Sequence, residues 1–76
     1  MDIKSFIENF VEAIEIEDAS AITGNTVFKN LEEWYSLAAL ATISMIDDEY
    51  GVAITNKDLR AVETLEELFN LVASKK

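Results

Sequence analysis

The stretch EEWYSLAALATISMIDDEYG, residues 32 to 51, holds the residues whose types and spacing could do chemistry. Ser36 follows two acids and two large aromatics, and it heads a segment with no charge until Asp47. Three roles are open to a serine hydroxyl in such a place. It can cap a helix, because its oxygen accepts a hydrogen bond from a free N–H of the first turn. It can be a nucleophile, which needs an adjacent base. It can also be modified by another enzyme. A phosphodiester there would lie at the positive end of the helix dipole, beside unpaired N–H groups. The nucleophile is the poorest of the three, because the chain has no histidine and no cysteine and only Lys29 lies nearby in sequence. No catalytic residue is expected, and the chain does not read as an enzyme.

Asp47, Asp48 and Glu49 close the same segment. Acids at the C-terminal end of a helix oppose its dipole, at a cost of about 0.3–1 kcal/mol each when exposed, and they repel one another. A locally unfavourable cluster points to use elsewhere. These three acids are candidates for a contact with a basic partner or for a weak divalent-cation site. The plainer alternative is a solvated acidic surface.

Elements must position these groups. Proline is absent and there are only two glycines, so helices meet few breakers. Ile3, Phe6, Ile7, Phe10 and Ile14 recur at spacings of three and four, with Glu8, Glu12 and Glu15 on the other side, which predicts an amphipathic helix across MDIKSFIENFVEAIEIE. The rhythm then fails through DASAITGNTVFKN, a long loop with turn formers at Thr23, Gly24 and Asn25. Ile22, Val27, Phe28 and Leu31 are expected to anchor it to the core. Loops of that length in small domains are more often functional than idle. Trp34, just before the next helix, reads as a further loop anchor by its large apolar area.

The second helix is predicted from about Ser36 to Tyr50, with Gly51 as its stop. Leu37, Leu40, Ile43, Ile46 and Tyr50 form its strongest stripe, opposite Ala38, Ala39, Ala41, Thr42 and Met45. A helix apolar nearly all round sits centrally, yet so small a domain cannot cover every side, so part of it should stay open as a contact strip. A short third helix is capped by Thr55 with Asp58, stapled by Ile54 and Leu59. The last starts at Thr64 with Glu67, buries Leu65, Leu68, Phe69 and Val72, and ends on Lys75 and Lys76. The fold class is all-α: one domain over residues 1–76, a bundle of three main helices and one short helix, up-down, with a long first loop.

Composition narrows the function classes. Fifteen acids against six bases give a net charge of −9 in 76 residues. Nucleic-acid binding needs cationic surface, and so does docking on anionic membranes. A basic protein partner is the natural complement. The opening MDIKSFIENF has neither the basic run nor the long apolar core of a targeting segment, so a cytoplasmic location without membrane insertion is expected. A monomer is the default.

At this point the residues Phe28, Leu31, Ser36-Leu37, Leu40, Ile43, Asp47-Asp48-Glu49-Tyr50-Gly51, Ile54 and Asp58 resemble the acyl carrier protein pattern. In that pattern a serine–leucine pair opens the recognition helix. The resemblance covers the whole chain. It implies that Ser36 is esterified with 4′-phosphopantetheine, whose thiol carries acyl intermediates as thioesters, and that Leu37 is its core-facing neighbour. It also implies a phosphopantetheinyl transferase and acyl-transferring or acyl-modifying enzymes as partners, with basic docking patches that meet Leu37, Leu40, Asp47, Asp48 and Glu49. The pathway would be fatty-acid synthesis or a related lipid or polyketide route. Two departures stand out. Tyr35 takes the place of the usual aspartate before the serine, and Ala38 and Ala41 stand where early acids are common. A carrier of aminoacyl groups, and a helical interaction module that has lost the arm, are the alternatives.

Overall fold

The computed structural model describes residues 2–76. Four α-helices follow one another: α1 (Ile3–Ala13), α2 (Ser36–Tyr50), α3 (Asn56–Ala61) and α4 (Leu65–Lys75). A single 3-10 turn, Phe28–Asn30, breaks the long connection between α1 and α2. The bundle is all-helical, three long helices and one short, and α1 packs against both α2 and α4. No described helix is long and apolar enough to cross a membrane.

Local chemistry sets most of the boundaries. Asp2 caps α1 by accepting from the Lys4 N–H at 3.1 Å. Thr55 and Asp58 form a reciprocal capping box on α3, and Thr64 and Glu67 another on α4. Ile54 and Leu59, on either side of the α3 cap, are both buried, as a hydrophobic staple requires. Gly51 ends α2 in the left-handed region, φ 66°, and its N–H donates to the Asp47 carbonyl at 2.9 Å.

The end of α1 differs from the sequence expectation. The apolar rhythm continues to Ile14 and Ile16, but helical hydrogen bonding stops near Ala13. Glu15 turns left-handed, φ 58°, its N–H donating to the Glu12 carbonyl and that of Ile16 to Val11. This is the paired-bond helix stop usually built on glycine. Here burial of Ile14 and Ile16 holds a glutamate in that conformation.

The core joins Phe6, Phe10, Phe28, Ile46, Leu65, Leu68 and Val72, all fully buried. The Phe6 ring packs on Phe69 (5.5 Å between centres) and Tyr50 (5.7 Å), and Asn9 donates to the Tyr50 hydroxyl at 3.0 Å, tying α1 to the end of α2. Loop carbonyls complete α4: the Glu66 N–H donates to Gly24 at 2.8 Å and the Leu65 N–H to Thr26 at 3.1 Å. Val27 is a correction. It holds the loop by a backbone bridge to Thr64 and leaves its side chain exposed, while Phe28 is the buried anchor and Ile22 and Leu31 are half-buried.

The orientation of α2 is the main correction. Its buried side chains are Ala38, Thr42, Met45 and Ile46. Leu37 is 66% exposed and Leu40 63%, so the serine's neighbour does not face the core, and the stripe turns inward only farther along, where Ile46 is fully buried. Thr42 is buried without penalty because its hydroxyl donates to the Ala38 carbonyl at 2.8 Å, the usual answer for a threonine inside a helix.

Candidate functional site

An aromatic cluster places the head of α2. The Trp34 ring meets Phe28 edge-on at 5.0 Å and stacks on Phe10 at 6.3 Å, while Phe10 and Phe28 lie 5.9 Å apart. Phe10 belongs to α1 and Phe28 to the 3-10 turn, so both elements hold the strand of chain that leads into Ser36. Trp34 is half-buried, as a loop anchor should be. Two residues later the chain turns outward and the helix begins.

Ser36 is the first residue of α2, and it is exposed. It is not the cap. Tyr35 holds that position in extended conformation (φ −134°, ψ −177°) and makes no side-chain capping bond. Its carbonyl accepts from Ala38 at 2.8 Å and more distantly from Ala39 at 3.4 Å. The phenol, 56% exposed, lies mostly in solvent. No side chain covers the leading N–H groups of α2, so its positive pole stays available beside the Ser36 hydroxyl.

Around this hydroxyl the surface is apolar. The large hydrophobic residues that stand well exposed in the described chain are Val27, Tyr35, Leu37 and Leu40, and three of them flank Ser36 in sequence or lie one turn beyond it. At the other end of α2, Asp47, Asp48 and Glu49 are all exposed. They do not converge. Neighbours on a helix point about 100° apart, and among the described residues no cluster of three acids could hold a metal ion. The weak divalent site expected there is corrected accordingly. Asp48 and Glu49 instead share a cleft of about 380 Å³ between α1 and α2 with Glu12, Asn9 and Ser44. Glu12 was unforeseen, because it reads as one more charge on the wet face of α1.

A second, smaller cavity of about 140 Å³ opens beside the head of α2. Trp34, Ala39 and Leu59 supply its apolar lining, and Lys29, Asn56 and Arg60 its polar groups. Its cations were missed, since nothing in their spacing along the chain brings them together.

These elements have a solved counterpart. A holo acyl carrier protein from Geobacter metallireducens, solved by solution NMR, superposes with a TM-score of 0.77. The match covers 96% of this chain and 83% of that one, at 19% identity. The fold is that of an acyl carrier protein. No family model matches the sequence, and no curated protein matches it either. On this fold the long loop, the first half of α2 and the short α3 meet around the small cavity lined by Lys29, Trp34, Ala39 and Leu59, and Ser36 opens α2 three residues before Ala39.

Proposed function

We propose that this chain is a cytoplasmic, monomeric acyl carrier that bears a 4′-phosphopantetheine arm on Ser36. The observation that carries the reading is the exposed Ser36 hydroxyl on the uncapped first turn of α2, in an acyl-carrier fold. The residues fit the group: the hydroxyl is accessible, and a phosphodiester would lie at the helix's positive pole. In the loading step Ser36 Oγ attacks the phosphorus of coenzyme A nearest the pantetheine. The new ester bond forms as the nucleotide portion leaves, and the hydroxyl proton passes to a base of the transferase. The arm supplies a thiol on which acyl groups ride as thioesters.

The chain's own residues bind and present; they do not catalyse. Leu37 and Leu40 offer an apolar seat around Ser36, and Asp47, Asp48 and Glu49 meet cationic groups of a transferase or an acyl-handling enzyme one helix length away. Early acids are absent from α2, so apolar contact does the work near the serine. The pathway is fatty-acid synthesis or a related lipid or polyketide route.

Intact mass after incubation with coenzyme A and a broad-specificity phosphopantetheinyl transferase tests the reading. A gain of one arm, abolished by Ser36→Ala, is the expected result. A gain that survives Ser36→Ala removes the assigned site. Absence of any gain, even after Tyr35→Asp, removes the carrier reading. Tyr35 favours a second one in that event, because a phenol offers a metal no carboxylate: a helical interaction module without an arm. An aminoacyl carrier would also be modified at Ser36, and the acidic balance favours acyl cargo over it.

A further inference from the structure

An apolar groove of about 590 Å³ runs along α1 beside the long loop, and it shares no lining residue with α2 or α3. Ile3, Ile7 and Val11, four residues apart on one face of α1, form one wall, and Ala19 and Ile22 of the loop form the other. All five are only half-buried. The loop comes close to α1 because Gly24 has no side chain: a Cβ there would stand 3.2 Å from Ile3 Cδ1. Contiguous aliphatic surface left open to water in this way marks a contact site.

The rim says what the groove receives. Its charged lining residues, Lys4 and Glu8, offset each other. The surroundings are acidic. Glu17 and Asp18 lead directly into Ala19, and the Glu66 carboxylate lies 3.5 Å from the point that a Cβ of Gly24 would occupy. Glu8, Glu17, Asp18 and Glu66 are all exposed, and none is in an ion pair among the described residues, where the one such contact joins Lys75 to Asp58 at 3.8 Å. Unpaired carboxylates around an aliphatic groove complement a cationic partner with an apolar ridge. A second copy of this chain would instead bring its own net charge of −9 against them.

Dimensions suit a helix. The wall from Ile3 to Val11 is about 12 Å long at about 1.5 Å per residue, and apolar anchors at i, i+4 and i+7 of a partner helix span about 10 Å. The volume equals about twenty water-sized groups at about 30 Å³ each, room for about three leucine-sized side chains. We propose that this groove docks a basic amphipathic helix of a partner protein, its apolar anchors seated between α1 and the loop and its lysines or arginines facing Glu8, Glu17, Asp18 and Glu66. A partner held there leaves the head of α2 uncovered, so the domain is tethered while Ser36 faces a second protein. The inference goes beyond the carrier reading and does not depend on the arm.

The test titrates the full chain with a synthetic helical peptide that has leucines at i, i+4 and i+7 flanked by lysines, and with the same peptide carrying glutamates for the lysines. Backbone amide resonances locate the contact. The lysine peptide should move the amides of residues 3–11 and 19–24 and leave those of α2 in place. At low salt it should bind about tenfold or more tightly than the glutamate peptide, and the difference should shrink near 1 M salt. Ala19→Trp, which fills the groove, should weaken binding about tenfold with circular dichroism unchanged. Glu8→Gln with Glu17→Gln and Asp18→Asn should do the same through charge alone, and these exposed positions keep the test decisive if Ala19→Trp disturbs the loop. Shifts confined to α2, or binding that neither variant weakens, overturn the site. Equal affinity for the two peptides overturns the basic partner. Movement of the same amides with protein concentration alone makes the occupant a second copy, and movement by decanol but by neither peptide makes it a lipid; either overturns the proposal.

Discussion

Leu37→Ala combined with Leu40→Ala asks whether the outer face of α2 is a seat for partners. Burying a leucine fully is worth about 1.5–3 kcal/mol. With Leu37 66% and Leu40 63% exposed, roughly two-thirds of that value is still unrealised in the free protein, about 1–2 kcal/mol each. A partner that covered both completely would gain about 2–4 kcal/mol. Docking rarely covers a patch to that extent, so we expect kcat/KM for modification of Ser36 to fall about 10- to 100-fold, at about 1.4 kcal/mol per decade. The assay is a time course of intact mass at several protein concentrations, run at low and at high salt. The loss should be the same at both, because it is apolar. Folding stability should hold within about 0.5 kcal/mol, since neither side chain supports the core. A double variant modified at the unaltered rate would show that the leucines are bystanders. A large drop in melting temperature would show that they are structural after all.

Neutralising Asp47, Asp48 and Glu49 to their amides should slow the same reaction at low salt and have little effect near 1 M, where the screening length is about 3 Å; a salt-independent loss would contradict an electrostatic role. Glu15→Gly should raise stability by about 1 kcal/mol, or about 4–8 °C in melting temperature, by relieving the left-handed glutamate at φ 58°. Gly51→Ala should cost about 1–2 kcal/mol by thermal melting, from backbone strain alone, because an added Cβ meets nothing within 4 Å. Glu67 is held below its ordinary pKa of 4.5 by the Thr64 and then the Glu63 backbone N–H groups. Its stabilisation is present above that value and lost as pH falls through the lowered one. Glu67→Gln should therefore flatten the acid limb of a plot of melting temperature against pH, and an unchanged limb would refute the assignment.

Much of the fold was legible because its punctuation is local. Thr55 with Asp58, Thr64 with Glu67, and Gly51 each satisfy backbone groups with side chains or conformations visible within a few residues. The stop after α1 was not legible, since it rests on a glutamate that only tertiary burial of Ile14 and Ile16 could force left-handed. The position of Ser36 at the head of its helix was readable, but its capping alternative was not resolved until Tyr35 proved to hold the cap position.

The face of α2 failed for a more general reason. Periodicity identifies a buried stripe only when the opposite stripe is polar, and here both are apolar through residue 46. What decides is the size of the neighbours. α1 and the 3-10 turn bring Phe6, Phe10 and Phe28 into the core. Large rings on one side leave room for small residues on the other, so Ala38 and Thr42 turn inward along the first half of α2 and the leucines turn out. Toward its C-terminal end larger Met45 and Ile46 take over inside. That complementarity is a property of packed pairs, invisible in one helix read alone. Its functional consequence is direct: the leucines that a core would have hidden remain around Ser36, and an enzyme reaching that hydroxyl has to cover them. The exposed apolar face and the exposed Ser36 hydroxyl then belong to a single surface, which is why, on the carrier reading proposed above, disabling the first should slow modification of the second.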